Sequence, residues 1–172
     1  MKLLVTDISE GYSHYTASED PANVGLEPNE DAEFNHPLVI EVDITREGNE
    51  FYVRGTVTTT LRVPCARCLG PAEVAGEEEF EGLFGWRKTP KPFVEISLES
   101  DMHKFGGPEL DISPLIREAV LMSVPIAALC REDCAGLCPR CGADLNKGKC
   151  TCQPESTDPR WSELKKLFED KK

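Results

Sequence analysis

The sequence predicts an α+β protein: a mostly antiparallel β-sheet or partial barrel over about residues 1–100, a packed helix at 113–124, a cysteine-rich segment and a terminal helix. Three features carry that prediction. Apolar and polar residues alternate through Leu38–Thr45 and again through Phe51–Val63, as they do in strands with one buried face. Pro114, directly after Ser113, opens a run with apolar residues at helical spacing. Six of the eight cysteines crowd into Cys130–Cys152, and the other two form an isolated C-x-x-C at Cys65 and Cys68. The chain divides accordingly into a β-rich domain, residues 1–126, and a C-terminal segment, residues 127–172.

Taken in order, Lys2–Ile8 reads as a short strand. The stretch from Gly11 to Pro37 is acidic and loop-rich, with Pro21, Gly25, Pro28 and Asn29 as breakers. It has room for a short strand or turn that periodicity does not define. Leu38, Ile40, Val42 and Ile44 then form one face of a half-buried strand, and Glu47-Gly48-Asn49 is a turn. In the long strand that follows, Phe51, Val53, Val57, Thr59, Leu61 and Val63 share a face. Gly55 in its middle marks either a bulge or a close backbone approach. The strand stops at Pro64, and Ala72–Phe84 resumes an extended pattern, so Cys65-Ala-Arg-Cys68 lies at a hairpin tip. Phe93–Leu98 offers one further strand. Ser113 is the expected N-cap of the helix, whose apolar face is Ile112, Leu115, Ile116, Ala119 and Val120, and Pro125 ends it. A second helix starts at Asp158-Pro159 and carries Trp161, Leu164, Leu167 and Phe168 on one stripe.

Composition narrows the function classes. Of the 172 residues, 40% are hydrophobic, which leaves a thin core that would benefit from a staple. Asp7 and Glu10 interrupt the only N-terminal apolar run, and the longest apolar tract, 112–129, contains Arg117, Glu118 and Pro125. Neither fits a signal peptide or a membrane span, so the expectation is a soluble cytoplasmic protein without membrane association. The net charge is −12, and the first hundred residues hold 19 of the 31 acids against 8 of the 19 lysines and arginines. That balance opposes non-specific binding to phosphate backbones. A nucleic-acid role needs a local basic patch or a protein partner.

In a reducing compartment, eight cysteines at these spacings read as metal ligands rather than disulfides. Two cysteines separated by two residues can bite one ion. Cys138-Pro-Arg-Cys141-Gly142 has that form, and Cys150-Thr-Cys152 is its nearest complement. Cys65/Cys68 then pair with Cys130/Cys134, which would pin the segment after Pro125 onto the hairpin tip. The alternative grouping joins Cys65/Cys68 to Cys138/Cys141. That alternative leaves the other four thiols free or differently used; under the first grouping the expected cofactor is Zn²⁺, in two structural four-cysteine sites. Ions held by four cysteines have no open position for water or substrate, so such sites stabilise rather than catalyse. A redox C-x-x-C needs a strand-to-helix setting, and here both flanks read as strands.

No catalytic set is visible: His14, His36 and His103 stand in loop-like surroundings, and no phosphate-binding glycine loop or Gly-x-Ser-x-Gly occurs. Two places combine features suited to nucleic acid. One is Trp86-Arg87-Lys88 with Lys91, cations beside an aromatic. The other is the rim of the C-terminal metal segment, Arg140, Lys147 and Lys149.

Several motifs together resemble the YceD family of large ribosomal RNA subunit accumulation proteins, over most of the chain. They are Val63-Pro-Cys65-Ala-Arg-Cys68-Leu, Glu109-Leu-Asp-Ile-Ser-Pro-Leu-Ile-Arg-Glu118, Ser123-Val-Pro-Ile126, Cys134-Ala-Gly-Leu-Cys138-Pro-Arg-Cys141-Gly-Ala-Asp-Leu-Asn146 and Asp158-Pro-Arg-Trp-Ser-Glu-Leu. The resemblance implies a non-enzymatic ribosome-biogenesis factor whose partner is large-subunit (23S) ribosomal RNA or a pre-ribosomal particle, with a ribosomal protein as a further candidate. The alternative is a zinc-stapled adaptor acting on a ribosomal or transcription protein.

Overall fold

A computed structural model of the chain describes residues 1–29, 32–87, 95–96 and 102–152. The chain divides into two compact units, Met1–Cys134 and Ala135–Lys172. In the first unit the strands are β1 (Lys2–Leu4), β2 (Gly11–Glu19), β3 (Leu38–Glu47), β4 (Glu50–Pro64), β5 (Pro71–Arg87), β6 (Glu95–Ile96), β7 (Met102–Gly106) and β8 (Glu109–Asp111), followed by the helix α1 (Ser113–Met122). Six strands form an open sheet in the order β2-β3-β4-β5-β7-β6, and β1 pairs with β8 separately. The large sheet is antiparallel except where β5 and β7 run parallel.

The β3–β4–β5 meander follows directly from the alternation in sequence. Leu38, Ile40, Val42 and Ile44 are fully buried, as are Phe51, Val53, Val57 and Leu61 on the same face. Burying each such side chain is worth about 1.5–3 kcal/mol. The turn between β3 and β4 needs only two residues because Gly48 takes φ +60°. At Gly55 the pairing runs Val42–Gly55–Phe80 without a slip, so there is no bulge. A Cβ there would sit 2.6 Å from the Phe80 ring. The closest approach is the Glu41 backbone carbonyl, with the Phe80 ring beside it, so Gly55 marks a close backbone approach.

The helix α1 packs on the inner face through Ile116, Ala119 and Val120. Leu115 lies over Gly82, where a Cβ would come within 2.8 Å of its side chain. Ser113 is the first helical residue rather than the N-cap. Its hydroxyl accepts from the Met1 amino group at 2.6 Å, while the Asp111 carboxylate accepts the Ser113 N–H at 3.0 Å. The N-cap, Ile112, has no side-chain hydrogen bond, and Asp111 takes up the first helical N–H instead. Phe51, Phe84 and Phe105 close the other end of the core with edge-on contacts, and the Arg46 guanidinium lies over Phe51 while donating to the carbonyls of Val5 and Ile8.

Two expected elements extend beyond the described residues. Of the strand expected at Phe93–Leu98, only Glu95–Ile96 is described, as β6. The helix expected from Asp158 lies outside the described residues altogether.

Candidate metal centres

The tip of the β4–β5 hairpin is built by residues 65–70, between the paired Pro64 and Pro71. The Cys65 N–H donates to the Gly70 carbonyl at 2.7 Å, and the Leu69 N–H donates to the Cys65 carbonyl at 2.9 Å. After α1 the chain returns to this tip: the Ala66 N–H donates to the Ala128 carbonyl at 2.8 Å. Arg67 then clamps the returning segment, its Nη1 donating to the carbonyls of Cys134 at 2.9 Å and Glu132 at 3.3 Å. The result brings Cys65, Cys68, Cys130 and Cys134 together, all four sulfurs lying within 4.8 Å of one another. The Sγ–Sγ distances are 3.9 Å for Cys65–Cys134 and 3.7 Å for Cys68–Cys130.

The second unit makes its own cluster. The Cys138 N–H donates to the Ala143 carbonyl at 2.8 Å, and the Gly142 N–H donates to the Cys138 carbonyl at 2.9 Å. Asn146 ties the arms, accepting the Ala135 N–H at 2.8 Å while its own N–H and side-chain amide bond to the Asp144 carboxylate. Those amides hold the Asp144 carboxyl below the usual range. Cys138, Cys141, Cys150 and Cys152 again lie within 4.8 Å of one another, with Cys138–Cys150 at 3.4 Å.

The two turns share one construction that sequence reading did not single out. In each, the first cysteine donates its N–H to the residue five positions on, and the residue after the second cysteine donates back to the first cysteine's carbonyl. Closing the turn so tightly puts that residue in the left-handed region: Gly142 at φ +71° and Leu69 at φ +58°. The signal was present in the parallel hexads Cys65-Ala-Arg-Cys-Leu-Gly70 and Cys138-Pro-Arg-Cys-Gly-Ala143.

The thiol chemistry is equally matched. Backbone N–H groups of Cys130, Cys68 and Arg67 stabilise the Cys65 thiolate and lower its pKa to about 6. The N–H groups of Cys141 and Arg140 do the same for Cys138, also to about 6. Burial and the crowding sulfurs of Cys134 and Cys68 push Cys130 up to about 12, and the Cys141 sulfur with burial pushes Cys152 to about 12. Each cluster therefore starts a thiolate set easily but completes it only if a cation offsets the repulsion. Bonds of about 2.3 Å from a tetrahedral zinc ion would set neighbouring sulfurs roughly 3.8 Å apart. The observed 3.4–3.9 Å separations fit that edge and are far from a disulfide's ~2.05 Å. Four cysteine donors, with no oxygen or histidine among them, suit a closed Zn²⁺ site.

The residues read as nucleic-acid contacts are distributed differently. Trp86 is half-buried against the core, and its indole N–H donates to the Gly107 carbonyl at 2.8 Å. Arg87 is exposed at the end of β5, while Lys88 and Lys91 lie outside the described residues. Arg140, Lys147 and Lys149 are all exposed on the second cluster's loops, with the Lys147 ammonium 3.5 Å from Asp144. Among the described residues no helix is long and apolar enough to cross a membrane.

A family model described as "Large ribosomal RNA subunit accumulation protein YceD" matches residues 53–168, which takes in both cysteine clusters and α1. A chloroplastic protein of Arabidopsis thaliana named large ribosomal RNA subunit accumulation protein YCED homolog 1 is 29% identical over 161 residues, covering 77% of this chain and 49% of its own length. The corresponding protein of Zea mays is 28% identical over 158 residues, with 54% of its length covered. The chain thus spans about half the length of these plant relatives. An uncharacterized protein of Mycobacterium tuberculosis is 31% identical over 150 residues, covering 86% of this chain and 70% of that protein. No solved structure matches the chain.

Proposed function

As the chain belongs to the YceD family, we propose that it is a non-enzymatic factor in production of the large ribosomal subunit, supporting accumulation of 23S ribosomal RNA. The observation that carries this reading is the extent of the family match, which includes all eight cysteines as well as the hairpin and the helix between them. Both clusters act in this reading as closed structural Zn²⁺ sites: Cys65, Cys68, Cys130 and Cys134 hold one ion, and Cys138, Cys141, Cys150 and Cys152 the other. They fix loops and leave no coordination position for a reacting group. The cations this reading assigns to ribosomal RNA are Arg87, Lys88 and Lys91, close to Trp86 in sequence, and Arg140, Lys147 and Lys149 in the sequence around the second cluster.

The test is depletion of the protein in its host, followed by the ratio of large- to small-subunit ribosomal RNA. A selective fall in the large-subunit species, restored by the intact chain but not by C65S/C68S, is the expected result. An unchanged ratio on depletion overturns the proposal.

A second reading, a metal-stapled adaptor for a ribosomal protein, is favoured by one observation. The exposed face of the sheet is predominantly acidic and so suits a basic protein better than RNA.

A further inference from the structure

All outward side chains of β2–β5 between Tyr12 and Ser18, Val39 and Asp43, Tyr52 and Thr58, and Glu73 and Glu81 are exposed or half-exposed. Within the first unit, α1 and the buried core lie on the opposite face. Strand register lays the outward residues out in rows: His14–Asp43–Arg54–Glu81, Thr16–Glu41–Thr56–Glu79 and Ser18–Val39–Thr58–Glu77. Two acidic rails result, Glu41 with Asp43 on β3 and Glu77, Glu79 and Glu81 on β5. Their strands are separated only by β4, so the rails stand about 9.6 Å apart at the usual strand spacing. Thr56 and Thr58 form the floor between them, with Arg54 between Asp43 and Glu81 at one end.

We propose that this face docks a lysine- and arginine-rich polypeptide segment lying along the β4 threonines between the two rails. Charge complementarity selects the occupant. Six acids, Glu41, Asp43, Glu73, Glu77, Glu79 and Glu81, face outward against Arg54 and Arg62. Asp43, Glu79 and Glu81 are engaged by Tyr12 and His14, by Arg54 and by Tyr52 respectively. Glu41, Glu73 and Glu77 have no side-chain partner among the described residues. A nucleic-acid backbone would meet repulsion here, on a chain already at −12.

The tyrosines suit the same occupant. Tyr12 and Tyr52 are 66% and 44% exposed, while their hydroxyls donate to Asp43 at 2.6 Å and Glu81 at 2.8 Å. Their polar ends are thus satisfied, and what they offer a partner is the electron-rich ring face, which attracts guanidinium and ammonium groups. Along β5, acids at every second residue repeat at about 6.8 Å, the spacing of alternate side chains in an extended basic segment.

The inference rests on the ribosomal reading only for where such a partner would come from. The test uses the full, metal-loaded chain with a photo-crosslinking phenylalanine analogue at Thr58, or at Leu121 on α1 as control. It is mixed with total protein extracted from large ribosomal subunits, and in parallel with protein-free large-subunit ribosomal RNA. The expected result is a Thr58 adduct with one or a few strongly basic proteins. It should weaken about tenfold in E41Q/E73Q/E77Q, which removes acids that bond nothing internally, and be absent at Leu121. An RNA adduct at Thr58, equal yields at the two positions, insensitivity to the triple substitution or no adduct at all each overturns the proposal. The RNA-ratio measurement on depletion is separate, so a failed ribosomal role and a failed docking face give different results.

Discussion

Exchanging the residues at the left-handed position of the two cysteine turns tests whether the turns are built alike. Gly142 lies at φ +71°, and a Cβ added there meets nothing within 4 Å, so G142A probes the backbone alone. Left-handed conformation costs an L-residue about 1–2 kcal/mol. Restricting the unfolded chain by replacing glycine offsets about 0.4–1 kcal/mol of that. The net is about 1 kcal/mol, or roughly a fivefold weaker metal site. Leu69 at φ +58° is the converse case: its side chain is 70% exposed, so little packing is lost in L69G and the strain is relieved. The extra freedom of glycine cancels much of that relief, leaving L69G between neutral and about 1 kcal/mol stabilising. Cobalt titration, read at the thiolate-to-metal charge-transfer band in competition with a chelator, measures the two sites. We expect G142A to weaken one site while the other is unchanged, and L69G to weaken neither. A neutral G142A, or an L69G that loses 2 kcal/mol or more, would refute the shared turn geometry.

Other substitutions probe the remaining contacts. R67A removes a cationic donor from two carbonyls, at a cost of about 1.5–3 kcal/mol, and should lower affinity at the hairpin site without affecting the other, as the same titration would reveal. Chelation should expose residues 127–134 to limited proteolysis before the β3–β5 sheet, because apart from the shared sulfurs that segment is held by a few turn and Arg67 hydrogen bonds and by the small apolar contact of Ala128 and Leu129; early cuts in β4 or β5 would contradict this. G55A drives a methyl group into the Glu41 backbone carbonyl and the Phe80 ring, and should destabilise the fold by about 1–3 kcal/mol in urea unfolding. Hydrogen bonds from Tyr12 and His14 hold the Asp43 pKa below its ordinary value, so its contribution is present above about pH 3.9 and disappears as pH falls through the lower folded value. The stability profile of D43N should therefore converge on that of the wild type below this window, which acid unfolding at a series of pH values would show.

What the sequence made legible follows from how strongly each residue is constrained. Leu38 to Val63 must bury every second side chain, and that requirement leaves a period that can be read directly. The cysteine spacings likewise limit which sulfurs can meet, and the grouping 65/68/130/134 with 138/141/150/152 is the one brought together in space. The strand β2 left no such trace. It is an edge strand, its inward residues Ser13, Tyr15 and Ala17 are only half-buried, and its existence depends on pairing with β3. The short strand β8 owes its form to β1 at the start of the chain, and the parallel β5–β7 pairing has no local signature. Ser113 misled because its hydroxyl could serve either its own helix or the Met1 amino group, and only tertiary contact decides between them. Arg67 and Leu69 were hidden for the same reason: the arginine's acceptors are backbone carbonyls, and a strained φ is not written in a side chain.

The hairpin cluster draws on thiols 62 positions apart in the chain, Cys68 and Cys130. At a ribosome's pace of about 5–20 residues per second, several seconds separate the birth of the first pair from that of the second. Throughout that interval the nascent hairpin carries two nucleophilic sulfurs at its end with nothing to complete them. The local quartet at Cys138–Cys152, by contrast, leaves the exit tunnel almost at once. On the proposed reading of these clusters as zinc sites, shortage of metal or brief oxidation would bear first on the half-built hairpin pair, in the earlier-made part of the chain.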